Sequence, residues 1–185
     1  VQTCALPISY IFNLCVTGRM RLTSDIITQA RAFYNPLKQR ELDIRGLKIP
    51  VMENLGAAEN QFDVIDLSDN SIACIENIPK FPRLHTLLLN NNLVSQITKG
   101  LGSNVPNCAC LILTNNRIGS FSELENLKDW TNLTNLSLVD NPIANEKDFR
   151  IRVVSILPQL RVLNFQKVTM KEREEARKLE EAKQE

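Results

Sequence analysis

Four asparagines recur at nearly constant spacing, and they are the polar residues whose pattern most clearly indicates a chemical role. They are Asn70, Asn92, Asn116 and Asn141, which lie 22, 24 and 25 residues apart. A carboxamide both donates and accepts hydrogen bonds, so stacked asparagines can pair with the backbone groups of turns. A buried backbone group left unpaired costs about 1–3 kcal/mol. We therefore predict a structural ladder of asparagine side chains and no catalytic role for them.

Other residues with suitable chemistry are few. Cys108 and Cys110 have the spacing of a metal-binding pair, but no second pair or nearby histidine completes a ligand set. We expect one thiol in the core and the other at the surface. The single histidine, His85, is expected at the surface, and no nucleophile elbow or phosphate-binding loop occurs. The sequence predicts no metal, no cofactor and no small-molecule substrate. An enzyme of unknown type therefore ranks behind the two binding functions considered below.

Each of the four asparagines follows the same apolar frame. In one repeat, for example, Leu84, Leu87 and Leu89 precede Asn92 in the pattern L-x-x-L-x-L-x-x-N. A period in the low twenties with this pattern is the signature of leucine-rich repeats. Two degenerate copies, at 42–49 and 160–168, flank the four repeats. The sequence thus predicts an α/β leucine-rich repeat solenoid with six short parallel strands on its concave face and helical caps at both ends.

The N-terminal cap is predicted to be one helix. Thr23 is a suitable N-cap, and apolar residues continue at helical spacing to Leu37. Residues 1–19 contain an apolar stretch that lacks the basic region of a signal peptide, and their first eight residues read like a translated sequencing adapter. We expect residues 1–19 to be a non-native extension, and the domain with its caps to span 20–168.

The C-terminal cap is predicted to be a second helix, followed by a third. Asn145 is the expected N-cap of the second helix, which should stop at Pro158. Thr169 and Glu172 form a capping box that opens the third helix. This helix, over 169–185, is highly charged and has no C-cap. We expect it to be solvated and the chain to be truncated there.

Composition limits the kinds of partner. The formal net charge is +1, whereas a protein that binds nucleic acid by itself normally shows a basic excess. The five cysteines form no paired framework, which favours a reducing compartment. A protein partner is therefore expected.

The outward positions of the predicted strands form a candidate binding face. Strand side chains alternate, so residues between the core positions point to the concave side. Apolar residues are expected to be exposed there at Leu88, Ile112, Val139 and Val162, while Asp43, Arg45 and Asp66 charge one end as a partly solvated rim. This arrangement indicates an interface for an amphipathic helix. The predicted contact residues are Asp43, Arg45, Asp66, Ser68, Leu88, Asn90, Ile112, Thr114, Ser137 and Val139.

Several stretches outside the repeat frame resemble one family. They include RELDIRGLKIP at 40–50, ENLGA at 53–57, NQFD at 60–63, DLSDN at 66–70, LTNN at 113–116, and VLNFQKV with KER at 162–168 and 171–173. These segments are similar to the A-prime family of the U2 small nuclear ribonucleoprotein, and the resemblance runs from residue 20 to about residue 178. It implies a non-enzymatic, nuclear scaffold subunit that binds an RRM protein of the B-double-prime type. With that partner it would recognise a U2 snRNA stem-loop in pre-mRNA splicing, touching RNA mainly through the partner.

Two further expectations follow. Arg21, Lys38 and Arg40 lie near the N-terminal cap and are candidates for phosphate contacts with RNA. The repeat frame is also compatible with a regulatory subunit of a protein phosphatase or an axonemal dynein scaffold, although the segments at 40–50 and 162–168 argue against both.

Overall fold

The computed structural model describes residues 21–184, through which runs an eight-stranded sheet. In chain order, the elements are α1 (Ser24–Gln29), β1 (Arg31–Tyr34), β2 (Arg40–Asp43), β3 (Val64–Asp66), β4 (Cys74–Ile75), β5 (Thr86–Leu88), β6 (Gln96–Ile97), β7 (Cys110–Ile112), α2 (Phe121–Glu125), β8 (Asn135–Ser137), α3 (Phe149–Ile156), β9 (Val162–Leu163), β10 (Gln166–Lys167) and α4 (Met170–Gln184). Within residues 21–184, 3-10 helices lie at Leu55–Ala58, Gly102–Asn104 and Pro142–Asn145.

The strands of the repeats pair in parallel, in the order β2-β3-β5-β7-β8-β9. This confirms the predicted solenoid with six parallel strands. The central residues of the strands stand in one register row and are at most 2% exposed, namely Leu42, Ile65, Leu87, Leu111, Leu136 and Leu163. Burying that row against the loops of the opposite side supplies the hydrophobic stabilisation that no single repeat achieves alone.

The N-terminal cap differs from the prediction of one helix ending near Leu37. Thr23 is the N-cap, and its hydroxyl accepts a hydrogen bond from Ile26 N, but α1 ends at Gln29. The chain then forms β1, which pairs antiparallel with β2. The Asn35 side chain accepts hydrogen bonds from Leu37 N and Gln39 N and so closes the turn. The apolar spacing suited either structure, and the otherwise open edge of β2 selected the strand. Residues 1–19 lie outside the described residues.

Short segments with extended or 3-10 backbone cover the side of the core opposite the sheet. Strands β4 and β6 form a small parallel pair there. Two asparagines on this side tie one repeat to the preceding one: Asn77 Nδ2 donates to Met52 O at 3.0 Å, and Asn104 Nδ2, at the end of a 3-10 helix, donates to Ile78 O at 2.8 Å. These side chains satisfy carbonyls that no regular element pairs.

The C-terminal cap consists of α3, the β9–β10 hairpin and α4. Asn145 belongs to the preceding 3-10 helix and does not cap α3, so that prediction is wrong. The residue before α3 is Asp148, whose left-handed backbone (φ 55°) redirects the chain. The predicted capping box is present: Glu172 N donates to Thr169 Oγ1 at 3.2 Å, and Thr169 N donates to Glu172 Oε2 at 2.7 Å.

Candidate protein-binding face

The outward row formed by the last residues of β2, β3, β5, β7 and β8 has a charged end and an apolar centre. Register pairs Asp43 with Asp66, Asp66 with Leu88, Leu88 with Ile112, and Ile112 with Ser137. Neighbouring strands lie about 4.8 Å apart, so side chains of one row touch across the sheet. The structure thus brings together Leu88 and Ile112, two of the four apolar residues predicted to point outward.

The apolar outward residues are less exposed than predicted. Leu88, Ile112, Val139 and Val162 are all half-buried. On a sheet with such close strands, each side chain is covered by its neighbours in the row, so an outward position does not by itself mean full exposure. The centre of the face still presents apolar surface, but as a continuous layer of half-buried side chains rather than as separate protruding ones.

Charges at the N-terminal end form a network centred on Arg45. Its Nε and one terminal nitrogen donate to the two carboxylate oxygens of Asp43, each at 2.9 Å. The Arg45 Nε also lies 3.5 Å from Asp66 Oδ2. The hydrogen bonds from Arg45 hold the pKa of the Asp43 carboxyl below its ordinary value, and Asp43 raises the pKa of Arg45 in turn. This end of the face is therefore preorganised in its ionised form.

Asp66 corrects the expectation of a partly solvated rim. The residue is only 6% exposed, and its Oδ1 accepts a hydrogen bond from Ser68 N at 2.9 Å. Its position between two strands and beneath Arg45 removes it from water. Asp66 is thus a structural anchor of the face, whereas Arg45, whose side chain is 48% exposed, presents the charge.

Polar residues follow where the strands end, and they are linked across repeats. Asn90 Nδ2 donates to Ser68 Oγ at 3.3 Å, and the hydroxyls of Thr114 and Ser137 lie 3.0 Å apart. Ser68 and Ser137 are buried, at 5% and 1% exposure. Among the described residues, no group hydrogen-bonds to the buried Oδ1 of Asn90. Half-buried Asn90 and Thr114 are therefore the polar residues of this strip with remaining access to a partner.

The four recurring asparagines are buried where the chain leaves the strands, and each bridges two repeats. Asn92 Oδ1 accepts from Ile72 N at 3.0 Å, and its Nδ2 donates to Leu67 O at 3.0 Å. Asn70, Asn116 and Asn141 repeat this pattern, with Oδ1 accepting from Ile49, Val94 and Ile118 N and Nδ2 donating to Ile44, Leu89 and Leu113 O. Each side chain thus satisfies buried backbone groups of its own and the preceding repeat.

Sequence reasoning missed a second, exposed ladder directly beside the first. Asn115 Nδ2 donates to Asn91 Oδ1 at 3.0 Å, and Asn91 Nδ2 donates to Asp69 Oδ1 at 2.7 Å. All three residues have φ between 54° and 59°, a left-handed conformation that asparagine and aspartate tolerate better than other side chains. An Asp or Asn directly before each buried asparagine was the signal for it.

The three candidates for RNA contact lie in different surroundings. The Arg21 side chain is 80% exposed and lies 3.8 Å from a carboxylate oxygen of Glu53. Lys38 is exposed in the β1–β2 turn, whereas the guanidinium of Arg40 stacks over the Phe62 ring at 4.9 Å. A neighbouring cation that the sequence did not suggest is Arg83, which donates to Asp63 Oδ1 at 2.8 Å.

The other chemically capable residues are not assembled into a site. Cys108 is 1% exposed, and burial raises the pKa of its thiol to about 12. Cys110 is half-buried on the sheet, where burial also raises its pKa, and His85 is exposed. Within residues 21–184, no group of histidine, cysteine and carboxylate side chains is arranged to hold a metal. No helix in this part of the chain has the length and apolar character needed to cross a membrane.

Comparisons with known proteins agree with this architecture. A model of the leucine-rich repeat family matches residues 19–185. The U2 small nuclear ribonucleoprotein A′ of Homo sapiens is 48% identical over 160 residues, which are 86% of this chain and 63% of the human protein. The A′ protein of Arabidopsis thaliana is 48% identical over 165 residues, which are 89% of this chain and 66% of that protein. The chain thus spans a little less than two thirds of these relatives.

A solved structure is similar to the present chain over nearly the whole length of both chains. It is a chain in the crystal structure of the Drosophila melanogaster SNF/U2A′ complex, with a TM-score of 0.85 and 45% identity. The match covers 89% of the present chain and 95% of the Drosophila chain.

Proposed function

Because the chain belongs to the leucine-rich repeat family and is similar to its U2 A′ members over most of its length, we propose that it is a non-enzymatic scaffold subunit of the U2 small nuclear ribonucleoprotein. Its task is to bind an RRM protein of the B-double-prime type in the nucleus during pre-mRNA splicing. The observation that carries this proposal is the similarity to a chain solved in complex with SNF.

The sheet supports a specific mode of binding. Six parallel strands at about 4.8 Å spacing extend for roughly 24 Å, which matches a helix of about 16 residues at 1.5 Å per residue. A partner helix laid across the strands would place apolar side chains over Leu88 and Ile112. Its basic residues would face the end that carries Asp43 and Glu41, and its acidic residues would face Arg45. Binding of this kind uses an apolar centre for affinity and charged edges for orientation.

RNA recognition is proposed to depend on the partner. The net charge of +1 gives little release of counterions, and Asp43 and Asp63 already engage Arg45 and Arg83. Lys38 and Arg21 remain the more exposed cations near the N-terminal end and are proposed to touch phosphates only when the partner holds the stem-loop in place.

Calorimetric titration with purified Drosophila SNF tests the binding mode. Leu88→Asp and Ile112→Asp should each cost several kcal/mol of binding free energy, because each buries an unpaired carboxylate in the complex. Circular dichroism should show that both variants stay folded, since these side chains lie outside the main core. Wild-type affinity in both variants would show that the partner binds at an edge or on the opposite side of the solenoid and not on the concave face.

The alternatives are separated by recovering partners from nuclear extract. Mass spectrometry of the bound proteins should identify an RRM protein. Recovery of a phosphatase catalytic subunit or a dynein chain instead would overturn the proposal. The similarity to A′ proteins favours the first outcome.

A further inference from the structure

The turn between β9 and β10 holds an aromatic residue in an unfavourable conformation. Leu163 and Gln166 are register partners, so Asn164 and Phe165 are the two central residues of a tight hairpin. Their φ angles are 51° and 61°, and a turn with two positive φ values favours glycine at its second position. A bulky aromatic residue there is a genuine outlier with an energetic cost.

The two residues differ in the contacts through which they stabilise the fold. Asn164 Oδ1 accepts a hydrogen bond from Leu138 N at 2.7 Å, which ties the hairpin to the last repeat. Phe165, in contrast, is 68% exposed, so burial of its ring does not offset the strain of its backbone. Its contribution is therefore better sought in an interaction with another molecule.

A cavity of about 650 Å³ lies beside this turn. Asn164 and Gln166, the neighbours of Phe165 on either side, both line it. Val139, Phe149 and Ile151 give it apolar walls. Its volume is in the range that accommodates one or two large side chains of a partner.

The charges around the cavity indicate which side chains it accepts. Among the described residues, its walls carry the carboxylates of Asp148, Glu172 and Glu175 and one cation, Arg150. The Arg150 guanidinium is already engaged, with Nε 2.5 Å from Glu172 Oε1 and Nη1 donating to Leu163 O at 2.9 Å. Glu175 lies 3.9 Å from Nζ of Lys171, whose side chain is 85% exposed, so this pair neutralises its carboxylate only weakly. An apolar cavity with this excess of carboxylates suits an aliphatic side chain followed by a lysine or arginine.

The cavity continues the concave face. Val139 lines both, and Asn164 and Gln166 follow the outward positions of the last strands. A helix that crosses the sheet from β2 to β9 therefore ends at this place. We propose that Phe165 and the adjoining cavity form an anchor site for the end of the helix contributed by the RRM partner, and that this end carries an apolar residue and a basic residue. The inference rests on the proposed function and adds a second contact region to it.

The experiment exploits the backbone of Phe165. Phe165→Gly removes the ring and also the strain, so the melting temperature should stay unchanged or rise while the affinity for purified SNF falls about tenfold or more. Leu37→Ala is a matched control, because Leu37 is 79% exposed in the turn at the other end of the sheet, and it should bind like wild type. Glu175→Lys changes the charge of the cavity without touching the turn and should weaken binding as well.

The outcomes separate this inference from the proposed function. If Leu88→Asp abolishes binding while Phe165→Gly and Glu175→Lys both bind like wild type, the anchor site is wrong and the concave interface remains. If all three variants bind like wild type, both are overturned. Should Phe165→Gly be poorly folded, wild-type affinity in Glu175→Lys is enough to overturn the anchor site.

Discussion

The backbone N–H of Val94 donates a hydrogen bond to the side chain of Asn116, one repeat further along the chain, at 2.9 Å. The Nδ2 group of the same Asn116 side chain donates a hydrogen bond to Leu89 O at 2.8 Å. Each repeat therefore satisfies polar groups that the preceding repeat leaves inside the core. Because a solenoid has contacts only between neighbours, these side chains contribute directly to the coupling of successive repeats.

Removing one of these side chains should destabilise the fold measurably. Asn92→Ala and Asn116→Ala are each expected to lower the free energy of unfolding by about 1–3 kcal/mol, since buried N–H and C=O groups lose their partners. Urea denaturation measures the change. Asn145→Ala is the control, because Asn145 is exposed and belongs to no ladder. Stability near wild type in the two ladder variants would contradict the structural role.

Asp66 should behave as a stability residue. Asp66→Ala removes the acceptor for Ser68 N and one partner of Arg45, and should cost about 1–3 kcal/mol of unfolding free energy. Glu146→Ala, an exposed carboxylate near α3, should change stability by less than about 0.5 kcal/mol. Thermal unfolding of both variants checks the difference. Equal, small effects would mean that Asp66 is solvated after all.

Gly102 should not tolerate a side chain. A methyl group at this position would overlap the backbone carbonyl of Asp129, whose carboxylate accepts a hydrogen bond from Gly102 N at 2.9 Å. Gly102→Ala should destabilise the protein by about 1–3 kcal/mol through this overlap. Gly56→Ala provides the matched control, because none of residues 21–184 places an atom within 4 Å of its added methyl apart from its chain neighbours. Equal melting temperatures of the two variants would contradict the close packing of Gly102 against the backbone of Asp129.

Acid should weaken the docking of α4. The hydrogen bond from Arg150 lowers the pKa of Glu172 to about 2 in the folded protein. A lowered folded-state pKa gives stability that is present above the unfolded value of about 4.5 and is lost as the pH falls towards 2. After allowance for solvent screening, we expect about 1–2 kcal/mol. Glu172→Gln should be less stable than wild type at pH 6, with the gap closing between pH 4.5 and 2. A gap independent of pH would refute the assignment.

The isolated chain should bind RNA weakly. With a net charge of +1, it should bind U2 stem-loop RNA well above nanomolar concentration at physiological salt until the RRM partner is added. Fluorescence anisotropy with and without purified SNF measures this. Lys38→Ala should affect only the ternary complex. Nanomolar binding of this RNA by the chain alone would contradict the proposal that RNA recognition depends on the partner.

The sequence by itself determined the repeat architecture. The apolar frame fixed the core side of each strand, and with it the row from Leu42 to Leu163 and the positions of the four buried asparagines. A pattern repeated six times leaves little freedom, because a shift of one residue would turn every core side chain outward. The capping box at Thr169 was readable for a similar reason, since both of its hydrogen bonds are made within four residues.

Tertiary structure decided what local pattern left open. Residues near Phe33 and Tyr34 fit a helix or a strand, and pairing with the edge of β2 made them a strand. Asp66 is a strand residue in sequence, and only the neighbouring strands and Arg45 bury it. The exposure and strained backbone of Phe165, and the cavity beside it, arise where β9, β10, α3 and α4 meet. Edge pairing, burial and cavities depend on elements distant in the chain, so no local spacing records them.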